Sequence, residues 1–213
     1  MQPVARFDPV SLRLIAITDS LRDGVDGLAA RAALAVSGGV TALHLRLKDE
    51  SPRMLVDVAR ALRAAVPQVV LLVSERADVA LAAGAQGVHL GIDDVAPSAL
   101  RRVLPPEFLI GASVGDESDI ARATGADFVA IGPVYGTGGR VDAGVAIGIE
   151  RFRALAVLSG LPAIAVGGVS AANAGALMRA GACGLAVISA LFSSADPSGA
   201  ARAFRSALDA SER

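Results

Sequence analysis

The sequence predicts an α/β protein folded as a single (β/α)8 TIM barrel. Three observations carry this: eight short apolar runs alternate with alanine-rich helical patterns, a glycine-led motif recurs at every second run, and polar residues gather where the runs end. The 213 residues are read as one domain, with the barrel proper at 11–210 and residues 1–10 as an N-terminal extension. The first run, LRLIAIT (12–18), precedes a helical pattern at 26–37; ALHLRLK (42–48) precedes another at 51–66. VVLLVSE (69–75) and GVHLG (87–91) are followed by helical patterns at 77–84 and 96–104. LIGASV (109–114) leads to a pattern at 116–125, and FVAIGPV (128–134) to one at 148–159. PAIAVGG (162–168) precedes 170–181, and GLAVIS (184–189) precedes the closing pattern at 196–210, read as an eighth helix. Several runs are apolar on both faces, as expected when helices cover a parallel sheet. Pro52 and Pro97 fall near first helical turns, and Gly84, Gly125 and Gly181 where helices should stop.

The recurring motif sharpens the count. GVTALHL (39–45), GAQGVHL (84–90), GADFVAI (125–131) and GACGLAV (181–187) share a glycine followed by linking residues and a strand. They introduce runs two, four, six and eight, the period of a barrel packed with pseudo-fourfold symmetry. An open sheet of four two-layer units would also repeat this way, but eight strands and eight helices favour closure. The connection 135–148 is the one long loop, and long loops in compact domains are often functional.

Composition removes several function classes. A net charge of −1 and 3% aromatic residues give no footing for nucleic acid or an anionic membrane. No apolar run approaches the ~18–20 residues of a spanning helix, and the N-terminus lacks the pattern of a secretory signal. A single cysteine, Cys183, excludes an internal disulfide and a multi-cysteine zinc site, and is read as a small buried hydrophobe. A cytoplasmic protein is expected.

In a barrel of this kind chemistry gathers where strands end. The run ends carry Thr18-Asp19, Arg46-x-Lys48, Ser74-Glu75, Asp93-Asp94, Ser113, a Gly-rich loop, Gly167-Gly168 and Ile188-Ser189. Gly167-Gly168 opens directly onto a helix, so its backbone N–H groups suit an anion, with Ser189 placed to complete the site. Close strand–helix packing would also call for such a glycine pair. In the run 42–48, Leu43, Leu45 and Leu47 alternate with His44, Arg46 and Lys48, giving one apolar and one basic face. Arg46 and Lys48, with Arg140 reaching from the Gly-rich loop, would bury three cations together, which calls for an anionic ligand. Glu75 and Asp94, from neighbouring strands, could then hold Mg2+, which takes one or two carboxylates plus substrate phosphates. A ring of structural salt bridges is the competing reading. His44 reads equally as a substrate contact, an acid/base or a satisfied core histidine. His89 faces the interior with nothing near it in sequence to act as base or orienter.

The segments IAITD, HLRLKD, ADVALAAGAQGVHLG, GADFVAIGPVYGT and AIAVGGVSAANAGALMRAGACGLAVISALF together resemble the thiamine-phosphate synthase family and its thiazole tautomerase branch, over residues 12–205. The resemblance implies a (β/α)8 barrel that joins a pyrimidine-methyl pyrophosphate to a thiazole phosphate, using Mg2+. By position it implies Arg46 and Lys48 as pyrophosphate ligands, Glu75 and Asp94 as metal ligands, and Ser113 beside the reacting groups. It implies Thr137, Gly168, Ile188 and Ser189 as contacts of the thiazole phosphate, and Arg140 in place of the family's loop lysine. His44 stands where the family has glutamine, Ser74-Glu75 where it has Asn-Asp, and Gly139 where it has a second threonine. The tautomerase histidine would fall at Gly115. The resemblance thus implies a transferase acting on small phosphorylated substrates, with departures at His44, Ser74 and Gly139 that bear on ring specificity. A thiazole tautomerase using His44 and a non-catalytic phosphate-binding barrel are the alternatives. Barrels of this type are often dimeric, so a homodimer is an expectation as well.

Overall fold

The computed structural model describes residues 8–136 and 144–211. A 3-10 turn at Pro9–Leu12 closes the base of the barrel and leads into β1 (Leu14–Ile17) and α1 (Gly24–Ser37). Then follow β2 (Ala42–Leu45), α2 (Pro52–Ala65), β3 (Val70–Ser74), α3 (Ala77–Ala83), β4 (Gly87–Leu90) and α4 (Pro97–Leu100). The second half runs β5 (Leu109–Val114), α5 (Glu117–Arg122), β6 (Phe128–Ile131), α6 (Gly148–Ser159), β7 (Ala163–Val166) and α7 (Ala171–Arg179). It ends with β8 (Gly184–Val187), a one-turn helix α8 (Ser189–Phe192) and α9 (Pro197–Ala210). The eight strands are parallel and close in sequence order, β8 pairing with β1. No described helix is long and apolar enough to cross a membrane.

Each expected run contains one strand, and every strand except β5, which fills its run, is shorter than its run because pairing ends before the loops begin. The largest difference lies after β8. The pattern at 196–210 is the ninth described helix rather than the eighth, because α8 intervenes; four residues are too few to show helical periodicity.

Helix boundaries follow local chemistry. Ser51 caps α2 by accepting from the Met54 N–H at 3.2 Å, with Pro52 at its first position. Ser170 and Asn173 form a reciprocal capping box at the start of α7. The four glycines that lead the repeated motif, Gly39, Gly84, Gly125 and Gly181, all have positive φ (+112, +67, +93 and +101°), so the repeat marks one left-handed turn into each even strand. Each strand starts three residues later, at Ala42, Gly87, Phe128 and Gly184.

Two apolar cores result. Leu43, Leu45 and Leu47 lie in the outer core between the sheet and the helix ring, with residues such as Leu28, Val58 and Phe152. The inner core fills the barrel with Ile15, Leu72, Leu109, Phe128, Ile164 and others. Cys183 packs partly buried against this inner core, and burial pushes its thiol up to about 11, so it stays protonated at neutral pH. At Gly184 an added Cβ would overlap the Leu12 carbonyl oxygen and stand 2.9 Å from Ile164 Cδ1. Gly184→Ala is therefore expected to cost about 3 kcal/mol, since backbone cannot yield as a side-chain tip can. A urea midpoint equal to that of the parent chain would contradict this packing.

Candidate active site

The inward-facing side chains change character around the barrel. On the even strands the second inward position is His44, His89, Ala130 and Ala186; on the odd strands the uppermost is Ile17, Ser74, Ser113 and Val166. Polar groups therefore stand on β2–β5, and apolar groups on β6–β8 and β1. Between them opens a cavity of about 440 Å3 at the C-terminal ends of the strands.

The polar half is hydrogen-bonded across strands. His44 Nε2 lies 2.7 Å from Ser74 Oγ, and His89 Nε2 lies 3.0 Å from Ser113 Oγ. The two imidazoles are tilted against each other with centroids 5.1 Å apart. His89, which had no orienter in sequence, thus has one in space: Ser113 on the next strand. It is a member of the site that sequence reasoning passed over. The signal was present, because His44 and His89 both occupy the sixth position of the repeated motif.

The basic residues leave the strand before they act. β2 ends at Leu45, so Arg46 and Lys48 sit in the loop beyond it rather than on the strand. The alternation nevertheless continues: His44 is buried, Arg46 half-buried and Lys48 exposed, all three lining the cavity. Buried Thr18, just after β1, holds Arg46, its Oγ1 accepting from the Arg46 N–H at 2.8 Å and lying 3.2 Å from the Arg46 carbonyl.

The two acids follow β3 and β4. Glu75 has φ +64°, the one positive φ outside glycine among the described residues. Its N–H donates to the His89 carbonyl at 2.8 Å, and the Arg76 N–H closes onto the Ser74 carbonyl at 2.7 Å, a tight turn centred on Glu75. That turn places Glu75 in the cavity wall. Asp94 Oδ2 accepts from the Gly91 N–H at 2.5 Å, which fixes its carboxylate on the same wall, with Asp93 beside it. Among the described residues no three carboxylate, histidine or cysteine side chains form a preformed metal cluster. Two hard oxygen donors facing a pocket with room for phosphates do fit Mg2+, which keeps open positions for substrate oxygens.

Opposite, Gly168, Ile188 and Ser189 line the cavity. The Gly168 carbonyl accepts from Asn173 Nδ2 at 3.0 Å, tying the glycine turn to the start of α7. Ser189 opens α8, which has no side-chain cap. Ten of the thirteen residues marked by the sequence therefore meet in one cavity: His44, Arg46, Lys48, Ser74, Glu75, Asp94, Ser113, Gly168, Ile188 and Ser189. Thr137, Gly139 and Arg140 lie outside the described residues. Gly115, beyond β5, has no side chain to offer, and its N–H donates to Asp119 Oδ2 at 2.8 Å.

A closed parallel barrel with cations, carboxylates and glycine turns around one C-terminal cavity has the arrangement of a (β/α)8 enzyme site, with donors suited to an anion. Comparison with known proteins makes this specific. Residues 14–191 match the family described as thiamine monophosphate synthase. Thiamine-phosphate synthase of Azorhizobium caulinodans is 41% identical over 96% of this chain and 99% of its own. That of Xanthobacter autotrophicus is 41% identical over 94% of this chain and 97% of its own. The solved thiamine phosphate pyrophosphorylase of Pyrococcus furiosus superposes with a TM-score of 0.84 at 31% identity, covering 95% of this chain and 98% of that one. The chain belongs to the thiamine monophosphate synthase family. The tautomerase alternative finds no support among these relatives.

Proposed function

We propose that the chain is a thiamine-phosphate synthase, a transferase that joins a hydroxymethylpyrimidine pyrophosphate to a thiazole phosphate and releases pyrophosphate, working in the cytoplasm. The observation that carries this reading is the convergence of Arg46, Lys48, Glu75, Asp94, Gly168 and Ser189 on one cavity whose floor is polar on one side and apolar on the other. Two carboxylates facing cations suit a leaving pyrophosphate, which neither a monophosphate isomerase nor a simple phosphate binder needs.

In the reaction the bond from the pyrimidine methylene carbon to the pyrophosphate oxygen breaks, and its electron pair leaves with pyrophosphate. The thiazole nitrogen lone pair then forms the new carbon–nitrogen bond. Arg46 and Lys48, with Arg140 from the loop, stabilise the departing negative charge. Mg2+, held by Glu75 and Asp94, supplies further neutralisation of that charge when bound. His44 and Ser74 form the edge against which the aminopyrimidine is oriented, and Ser113, held by His89, faces the same ring. Gly168, Ile188 and Ser189, with Thr137, hold the thiazole by its phosphate so that the nitrogen is presented in line. The apolar wall of Ile17, Ala130 and Val166 excludes water from the electron-poor carbon.

Calorimetric titration with inorganic pyrophosphate, with and without Mg2+, tests the reading. The expected result is binding that needs the metal and is lost in Asp94→Ala. Failure to bind pyrophosphate under either condition, with a thiazole monophosphate still bound, would overturn it.

A further inference from the structure

Asp19 directly follows the first apolar run yet does not line the cavity, so the reaction leaves it without a task. Its partner is Arg31, in the second turn of α1, whose side chain is only 12% exposed. Arg31 Nη1 lies 3.1 and 3.2 Å from the two Asp19 carboxylate oxygens, and the same atom donates to the Phe192 carbonyl at 3.0 Å. Nη2 donates to the Ser20 carbonyl at 3.2 Å, and Nε stands 3.3 Å from Asp23 Oδ2, within ion-pair range. A second guanidinium reaches the same carbonyl: Arg22 Nη2 donates to Phe192 O at 2.7 Å. The Phe192 ring, fully buried, lies 5.7 Å beneath the Arg31 guanidinium.

Two cations on one backbone oxygen are a large commitment for a single carbonyl, and its position explains it. Phe192 is the last residue of α8, and Ser189, which lines the cavity, is the first. The turn between them is closed by Phe192 N–H to Ile188 O at 3.1 Å and Ser193 N–H to Ser189 O at 3.0 Å. One turn of helix is too short to hold its own geometry, because nucleation costs more than one or two hydrogen bonds return. Its orientation must therefore be imposed from outside, and the guanidinium pair does so at the C-terminal end, where cations also favour the helix dipole. Asp19 and Asp23 supply the countercharge that lets Arg31 be buried there.

We infer that Arg31, oriented by Asp19 and joined by Arg22, is a positioning residue for the phosphate of the second substrate: it clamps the C-terminal carbonyl of α8 and thereby fixes Ile188 and Ser189 at the cavity. The inference rests on the proposed function, which assigns the phosphate to that side of the barrel. It concerns the substrate phosphate on the β7–β8 side; the described residues assigned to pyrophosphate, Arg46, Lys48, Glu75 and Asp94, follow β2, β3 and β4.

The test measures two ligands on one set of variants. Thiazole monophosphate and Mg2+-pyrophosphate are titrated calorimetrically into the parent chain, Arg31→Gln, Arg31→Lys and Arg22→Ala, with a thermal melt of each. Arg31→Gln is expected to weaken thiazole monophosphate about tenfold while pyrophosphate changes less than about twofold. Arg31→Lys, which keeps the charge and one donor direction, should recover part of the loss. Arg22→Ala, at a half-exposed position, should weaken the same ligand about threefold without lowering the melting temperature. Should Arg31→Gln not fold, the lysine and Arg22 variants decide. Unchanged thiazole monophosphate binding in both, or equal losses for both ligands, would overturn the inference. A parent chain that binds pyrophosphate but not thiazole monophosphate would instead overturn the thiazole half of the functional reading and the inference with it, an outcome seen before any variant is made.

Discussion

Glu75→Asn is expected to lower the coupling rate by about a hundredfold or more and at the same time raise the melting temperature by about 2–4 °C. The two effects have separate causes at one residue. In the proposed function the Glu75 carboxylate is one of two hard oxygen donors for Mg2+ beside pyrophosphate, and an amide offers neither its charge nor its affinity for a divalent cation. The backbone at φ +64° is a left-handed conformation in which a glutamate is strained by about 1 kcal/mol relative to asparagine, whose side chain tolerates that region. Removing the charge while relieving the strain should therefore make a more stable, less active protein. Glu75→Gln separates the contributions: it should lose activity to a similar degree with no gain in melting temperature. Equal melting temperatures for the asparagine and glutamine variants would show that the turn at Glu75 stores no strain. The activity half is read from steady-state rates at saturating Mg2+, the stability half from calorimetric melts of the unliganded chain.

Gly168→Ala should weaken thiazole monophosphate binding about a hundredfold and destabilise the chain by about 1–3 kcal/mol. Gly168 has φ +63°, and an added Cβ would stand 2.6 Å from Tyr135 Cβ and 2.7 Å from the Gly136 carbonyl oxygen. The Tyr135 N–H is itself bonded to the Gly167 carbonyl at 3.1 Å, so the two loops cannot part without breaking that link. On the other side Asn173 holds the Gly168 carbonyl, leaving the peptide no direction in which to yield. Gly160→Ala is the matched control. It has nearly the same φ, +62°, and no atom within 4 Å of its would-be Cβ. It should show only the conformational penalty of about 1 kcal/mol, with ligand binding unchanged. Equal binding losses in the two variants would mean that the packing of the Gly168 turn plays no part in holding phosphate.

The fold was legible because barrel folding is written in local and periodic terms. Apolar runs of strand length, alanine-rich helical spacing and the glycine turns at 39, 84, 125 and 181 are all short-range patterns, and each corresponds to one element. The helix α8 escaped because a single turn has no period to detect, and it is held by its buried Leu191 and Phe192 and by Arg22 and Arg31, more than 150 residues earlier in the chain. Much of the site was legible for a related reason. In a parallel barrel every strand ends on the same rim, so charged and glycine residues at run ends are neighbours whatever their separation in sequence. Arg46, Glu75, Asp94 and Gly168 could be grouped on that ground before any distance was known, and all four line the cavity.

What the rim argument could not supply was pairing. His89 looked unaccompanied because its partner, Ser113, is 24 residues away and meets it only through the β4–β5 register. The same holds for His44 and Ser74, two departures from the family pattern that prove to be hydrogen-bonded to each other at 2.7 Å. The amino-acid sequence by itself determined the class of the fold, the number of strands, the rim on which chemistry collects and the family resemblance, because each depends on residue type and short spacing. Only the tertiary structure decided which side chains touch, that the cavity is polar on one half and apolar on the other, that Glu75 sits on a strained turn, and that a buried arginine bonds the C-terminal carbonyl of α8. Those features depend on strand register and on contacts between distant segments, which closing the barrel creates and no local pattern encodes.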